Sequence, residues 1–240
     1  MGKEPRLYDA KFYRELDSTR DSAREILPMV VGVVRPASIV DIGCGTGHWL
    51  ATAIEMGISD VLGVDGEWAA KAKLAIPQER FLVHDLGTPL KLNRRFDLAI
   101  SLEVAEHLPA SEARAFIELL CDCADTVLFS AAIPGQGGRH HMNEQWPVYW
   151  ADLFAGFGFQ CYDPLRPTLW ENPRVLWYYA QNCMIYARGD SHIQASPVAK
   201  PLSLVHPVLW SRQLERLNSP GKLLERLPKA FLSILRGRRD

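Results

Sequence analysis

Residues 39–47 read I-V-D-I-G-C-G-T-G, an apolar run carrying one acid that gives way to glycine at 43, 45 and 47. The next nine residues, H-W-L-A-T-A-I-E-M, place apolar side chains at helical spacing up to Gly57, which suits a helix end. The stretch is therefore a strand, a tight turn and a helix. Glycines without β-carbons let the backbone turn sharply and approach a ligand closely, with the first amides of the helix facing it. The dinucleotide spacing G-x-G-x-x-G would need glycine at position 48, where His48 stands. The pyrophosphate fingerprint is not met.

Outward from this turn, short apolar runs alternate with helical patterns. Residues 37–42 precede the helix at 49–56, 61–64 precede 67–75, and 81–83 stand alone. Residues 96–101 precede a helix at 110–121, and 126–132 form the next run. Strand and helix repeated in this way predict a parallel α/β sheet. Residues 160–162 and 182–187 read as two further strands around a Pro- and Trp-rich loop at 163–177. With no helical pattern between them, they are expected to pair antiparallel at the end of the sheet. Upstream, residues 8–34 suggest one or two helices, with Asp17, Ser18 and Thr19 as N-caps and Pro28 at a helix start or kink. Downstream, 189–201 read as a linker and 214–239 as one or two basic amphipathic helices, broken at 219–221 and near Pro228. The chain thus divides into an N-terminal helical lid or packing segment (1–36), an α/β domain (37–188) and a linker with a basic tail (189–240).

The chain has 240 residues, 27 basic and 28 acidic, and no apolar run of the roughly 20 residues that a membrane-crossing helix needs. Residues 211–240 carry eight Lys and Arg against three acids, a net charge of +5, so residues 1–210 carry −6. An acidic body argues against a nucleic-acid substrate, because tracking phosphates needs a basic face. The basic tail at 211–240 suits packing, a partner subunit or an anionic membrane surface. Five scattered cysteines without C-x-x-C spacing read as reduced and buried. The N-terminus lacks the order of a secretory signal, so a cytoplasmic location is expected.

Two further acids follow strand-like runs: Asp65 ends L-G-V-D, and Asp85 sits in F-L-V-H-D-L. A carboxylate at the second strand end can accept from both hydroxyls of a ribose, and one at the third suits an adenine amino group. With the glycine turn, these mark a nucleoside site.

Here the sequence resembles the class I S-adenosylmethionine-dependent methyltransferases. The resemblance rests on V-D-I-G-C-G-T-G, G-V-D, H-D-L and F-D-L-A-I-S-L-E-V-A-E-H-L in order between residues 37 and 132. It implies an α/β, Rossmann-like fold with a mostly parallel central sheet, flanking helices and an antiparallel end strand. It also implies S-adenosylmethionine as cofactor and S-adenosylhomocysteine as product. Asp41, Gly43, Cys44, Gly45 and Gly47 would line the methionine end. Asp65 would bind the ribose hydroxyls, and Asp85 and Leu86 would hold the adenine, with Gly66 also at the cofactor. Ser101, Leu102 and Glu103 would lie beside the sulfonium. At Gly66 many relatives carry a larger apolar residue, so Trp68 or Leu86 is expected to supply the packing on adenine.

Residues 134–150, P-G-Q-G-G-R-H-H-M-N-E-Q-W-P-V-Y-W, follow the fifth strand. They resemble a stretch found in a bacterial subgroup of these enzymes linked to polysaccharide and glycoside biosynthesis. On that resemblance a small-molecule acceptor, a sugar or glycan-precursor hydroxyl, is expected. His141 is expected as the base, with His140, Asn143 and Glu144 beside it, because an imidazole titrates near neutrality. Glu106, His107, Gln145 and Trp146 are expected to face the acceptor, although Glu106 and His107 also suit a helix cap. No metal is expected at His140, His141 and Glu144, a poor donor set for magnesium. The alternatives are N-methylation of an amine-bearing metabolite, which needs little help from a base, and a non-catalytic cofactor-binding module.

Overall fold

The structure, a computed structural model, describes residues 10–189, 193–219 and 221. The described residues form two compact units, divided between Leu204 and Val205. The first is built on a seven-stranded sheet. Its strands are β1 (Ser38–Ile42), β2 (Asp60–Asp65), β3 (Phe81–Val83), β4 (Leu98–Leu102), β5 (Thr126–Ser130), β6 (Phe159–Tyr162) and β7 (Met184–Arg188), in the spatial order β3-β2-β1-β4-β5-β7-β6. The first five run parallel, and β7 is antiparallel to both β5 and β6. This is the Rossmann-like class I methyltransferase fold. The order reverses between β1 and β4, the switch point outside whose carboxyl ends open α/β sheets form their ligand crevice.

Alternation along each strand sends side chains to opposite faces, and each face has its own core. On β1, Ile39 joins one cluster while Val40 and Ile42 join the other; on β5, Leu128 divides from Val127 and Phe129 in the same way. Helix α1 (Ala10–Val34), α2 (His48–Glu55) and α7 (Trp177–Asn182) cover the first face, and α4 (Ala113–Cys123) and α5 (Pro147–Ala155) the second. Two single-turn helices, α3 (Glu67–Ala70) and α6 (Arg166–Leu169), join strands at the edges. The five cysteines are buried and free.

Several boundaries differ from the sequence reading. Residues 17–19 do not cap a helix; α1 passes through them without a break. Ala23, Ile26, Leu27 and Val30 bury its inner stripe, while Pro28 lies on the exposed side, where water can satisfy the carbonyl its ring leaves without a donor. The expected helix at 67–75 stops at Ala70, because the chain turns back so that the Ala75 amide donates to the Thr46 carbonyl at 2.8 Å. The loop at 163–177 is not free of helix: α6 and α7 form around Arg166, a buried guanidinium. It donates to Asp163 at 2.7 Å and to the Leu202 carbonyl at 2.9 Å. The last strand consequently starts at Met184, since Asn182 ends α7.

In the second unit α8 (Pro207–Leu217) begins earlier than expected, with His206 as N-cap accepting from the Val208 amide at 3.2 Å. The expected basic helix through residue 239 lies outside the described residues beyond Gly221. No described helix is long and apolar enough to cross a membrane.

Phe154 fastens α5 to the sheet: its ring stacks on Tyr186 at 4.0 Å and meets Phe129 edge-on at 5.4 Å. Phe154→Ala should cost about 3–5 kcal/mol, the usual penalty for emptying a buried aromatic site. Urea unfolding measures it, and a loss below about 1 kcal/mol would show that the neighbours collapse into the space.

Candidate active site

The turn after β1 is held in a shape open to glycine. Gly43 has φ 86°, and a β-carbon there would fall 2.4 Å from Cγ2 of Val104. Gly47 has φ 87° and would bring a β-carbon within 2.9 Å of Ile76. The Gly43 amide donates to the Val64 carbonyl at 2.8 Å, and the Gly45 amide to Asp65 Oδ2 at 2.7 Å. The other Asp65 oxygen accepts from the Gly66 amide at 2.7 Å. Burial raises the pKa of Asp65, and these amides pull it back.

Two cavities meet at this turn. The larger, about 840 Å³, spans the carboxyl ends of β2, β3, β1 and β4 and is lined by Asp65, Gly66, Glu67, Trp68, Asp85, Leu86, Gly87, Glu103, Val104, His107 and Leu108. The smaller, about 160 Å³, is lined by Asp41, Cys44, Thr46, His48, Trp49 and Leu102, with Thr19 from α1 and Tyr179 from α7. Gly43 and Gly45 line both. Asp41 is 2% exposed, and its Oδ2 has no hydrogen-bond partner. Burial, then the nearby Asp65, holds its carboxyl well above the usual range.

The loop after β4 carries a second group of acids. Glu103 has φ 57°, and its carboxylate accepts from Gln136 Nε2 at 2.6 Å and from Asn182 Nδ2 at 3.0 Å. Burial raises its pKa while these donors lower it. Glu106 is completely buried, and neither carboxyl oxygen has a partner. Burial and then Glu103 push its pKa up to about 9. The His107 ring meets that of His141 edge-on at 4.9 Å. Its pKa is lowered, first by burial and then by His141.

The loop at 134–146 is laced to these groups through its backbone. The Met142 and Asn143 amides donate to the Glu106 carbonyl at 2.8 and 3.0 Å. Glu144 accepts from the Gly135 and Gly137 amides, both at 2.7 Å, and from His141 Nδ1 at 3.0 Å. Gln145 donates to Asn143 Oδ1 at 2.9 Å.

The expected cofactor residues therefore gather at one crevice, with two exceptions. Ser101 is buried in β4 and lines neither cavity, and Gly47 lies behind the turn. Cys44 directs its sulfur toward Gly63 on β2. Of the expected acceptor residues, His107 lines the large cavity; Glu106, His140, His141, Asn143, Glu144, Gln145 and Trp146 do not. Residues not foreseen are Gln136 and Asn182, which hold Glu103, and Thr19 and Tyr179. Gln136 lies in the loop at 134–150 without a role having been expected of it, and nothing local marked Asn182, Thr19 and Tyr179, which reach the site from distant helices.

The methyltransferase-domain family matches residues 16–153, more than half of the chain. This chain belongs to that family. Among solved structures that share the methyltransferase's fold is the SAM-bound amino pentose methyltransferase CalS10 from Micromonospora echinaspora, involved in calicheamicin biosynthesis. It is 16% identical, with a TM-score of 0.57 over 77% of this chain and 99% of that one. The magnesium protoporphyrin IX methyltransferase ChlM from Synechocystis PCC 6803, with bound SAH, is 16% identical, with a TM-score of 0.50 over 77% and 90%. The methyltransferase domain of a bacterial Hen1, CtHen1-C, is 16% identical, with a TM-score of 0.53 over 72% and 99%. At such identities the likeness concerns the fold. No curated protein matches the methyltransferase.

Asp41 yields a stability test. A carboxyl whose folded pKa is raised contributes its stability below the unfolded value and loses it as pH climbs through the folded value. Asp41→Asn should therefore raise the melting temperature of the ligand-free protein at pH 8 and leave it nearly unchanged at pH 3. A gain of about 1 kcal/mol amounts to about 2–4 °C for a chain of this size. An equal shift at both pH values would show that charge at Asp41 is not the cause.

Proposed function

We propose that this methyltransferase uses S-adenosylmethionine to methylate a hydroxyl of a small, sugar-like acceptor. The observation that carries the reading is the crevice at the β1/β4 switch point, where two cavities meet at a turn that admits no β-carbon at Gly43. The residues fit the cofactor. Asp41, with an oxygen lacking a partner, suits an α-ammonium group, and the large cavity has room for a nucleoside. Asp65 would accept from the ribose hydroxyls, Asp85 and Leu86 would hold adenine, and Trp68 would cover its face.

When bound, S-adenosylmethionine supplies an electrophilic methyl group on a sulfonium. The chain's part is to bring an acceptor oxygen in line with it and to remove a proton. Val104, His107 and Leu108 form the wall where an acceptor would lie, with Glu106 and His141 behind His107. With the cofactor in place, the wall at Val104, His107 and Leu108 would set an acceptor oxygen in line with the methyl group, the sulfonium sulfur would keep the electrons of the carbon–sulfur bond, and the hydroxyl proton would be taken at this cluster. His141, expected as the base, is one of its members. A sugar acceptor and a role in carbohydrate assembly are supported by the resemblance of residues 134–150, and the acidic body argues against a nucleic-acid acceptor.

Asp65→Ala should weaken S-adenosylhomocysteine binding by about 10- to 150-fold, because two charge-assisted bonds to the ribose are lost. Calorimetry measures this, with NAD as a control expected not to bind; an unchanged affinity would mean that the ribose is held elsewhere. His141→Ala should keep cofactor affinity and lower kcat about 10²- to 10⁴-fold on a hydroxyl acceptor. Turnover equal to wild type would move proton removal away from this cluster.

A further inference from the structure

We propose that Glu106, His107 and His141 form a binding site for one divalent first-row transition-metal ion, such as Mn²⁺ or Zn²⁺, at the acceptor end of the large cavity. One nitrogen of each imidazole and one Glu106 oxygen lie within 4.8 Å of one another. Metal–ligand bonds of about 2.0–2.2 Å draw such donors closer by small side-chain rotations.

The independent observation is Glu106. A carboxyl group with no exposure and no partner for either oxygen is costly to bury. Its polar neighbours, the Glu103 carboxyl and the Ala132 backbone, leave both oxygens without a well-formed hydrogen bond, whereas Glu103 is held by Gln136 and Asn182. An ion bound between the two imidazoles and Glu106 supplies what is missing.

The surroundings suit an ion as well. Glu144 accepts from His141 Nδ1 at 3.0 Å, leaving the lone pair of Nε2 for another partner. A carboxylate behind a ligating imidazole is the usual support of a metal-bound histidine. Glu144 is itself held by the Gly135 and Gly137 amides. Gly138 leaves room for the imidazole: a β-carbon there would fall 2.0 Å from His141 Nε2. The amides of Met142 and Asn143 tie this loop to the Glu106 carbonyl, bringing a histidine remote in sequence beside the E-H pair. These donors are not the adjacent set His140, His141 and Glu144, where no metal was expected. His140 is exposed, and Glu144 supports His141 from behind.

Two imidazoles and one carboxylate favour a transition metal over Mg²⁺, which prefers oxygen donors. Three protein donors leave positions open, and His107 lines the cavity where an acceptor enters. An ion there polarises a hydroxyl, and a vicinal pair of hydroxyls, as in a sugar, could fill two positions. With the ion bound, His141 would act by holding the ion and not as the base: the acceptor oxygen would bond to the methyl carbon, the carbon–sulfur electron pair would stay on sulfur, and the proton of the polarised hydroxyl would leave to water. This role deepens the methyl-transfer reading and rests on it; the ion site does not.

The test uses the full chain after dialysis against EDTA, titrated by calorimetry with Mn²⁺ alone and with Zn²⁺ alone. One ion per chain is expected, with affinity falling more than about 10-fold in Glu106→Gln and in His107→Ala. Gly138→Ala, which displaces His141 without removing a donor, should weaken binding too. Circular dichroism checks folding, and Mn²⁺ should raise the melting temperature of wild type but not of Glu106→Gln. No binding of either metal, or binding unchanged in both ligand variants, overturns the site. S-adenosylhomocysteine titrated into the same chelated protein tests the cofactor reading separately. Metal binding without any S-adenosylhomocysteine binding would overturn that reading and leave the ion site standing.

Discussion

The contact between Gly43 and Val104 sets the geometry of the crevice. These residues follow β1 and β4, adjacent strands from which the chain departs in opposite directions. Val104 sits where a β-carbon on Gly43 would have to go, so the two loops close on each other only because position 43 has none. Any larger residue there would meet both a steric clash and a positive φ that L side chains rarely adopt. The two cavities share Gly43 and Gly45.

Around that contact the protein concentrates acids that its cores do not need. Asp41, Asp65 and Glu106 are buried and Glu103 is half-buried, and burial raises the pKa of each. Asp65 and Glu103 are compensated by donors, from backbone amides in one case and from Gln136 and Asn182 in the other. Asp41 has one unpartnered oxygen and Glu106 two. Cations would relieve both: an ammonium group beside Asp41 and a metal ion beside Glu106. The two apolar clusters on opposite faces of the sheet provide the stability that such an arrangement consumes.

Much of the site was legible locally. The glycine turn, Asp65 and Asp85 each sit at a strand end, and parallel strands place successive ends along one edge, so their order in sequence becomes their order in space. The same logic located β1 to β5 and the antiparallel pairing of β6 with β7. It was less successful where tertiary contacts overrode local pattern. Helix α3 ends early because Thr46 captures the Ala75 amide, and α6 and α7 form around the buried Arg166 in a loop that carried no helical period.

What the sequence determined by itself is the set of groups whose positions follow from one strand and the turn after it: Gly43, Gly45, Asp65, Asp85 and the E-V-A-E-H loop. Only the tertiary structure decided which groups meet across elements. It set Asn182 and Gln136 on Glu103 and brought Tyr179 and Thr19 to the small cavity. It also placed His141 against His107 while His140, one residue away, stays exposed. The physical reason is range. Backbone periodicity fixes neighbours a few residues apart, whereas His141 reaches Glu106 only through the Met142 and Asn143 amides that bond to its carbonyl, a contact with no local signature.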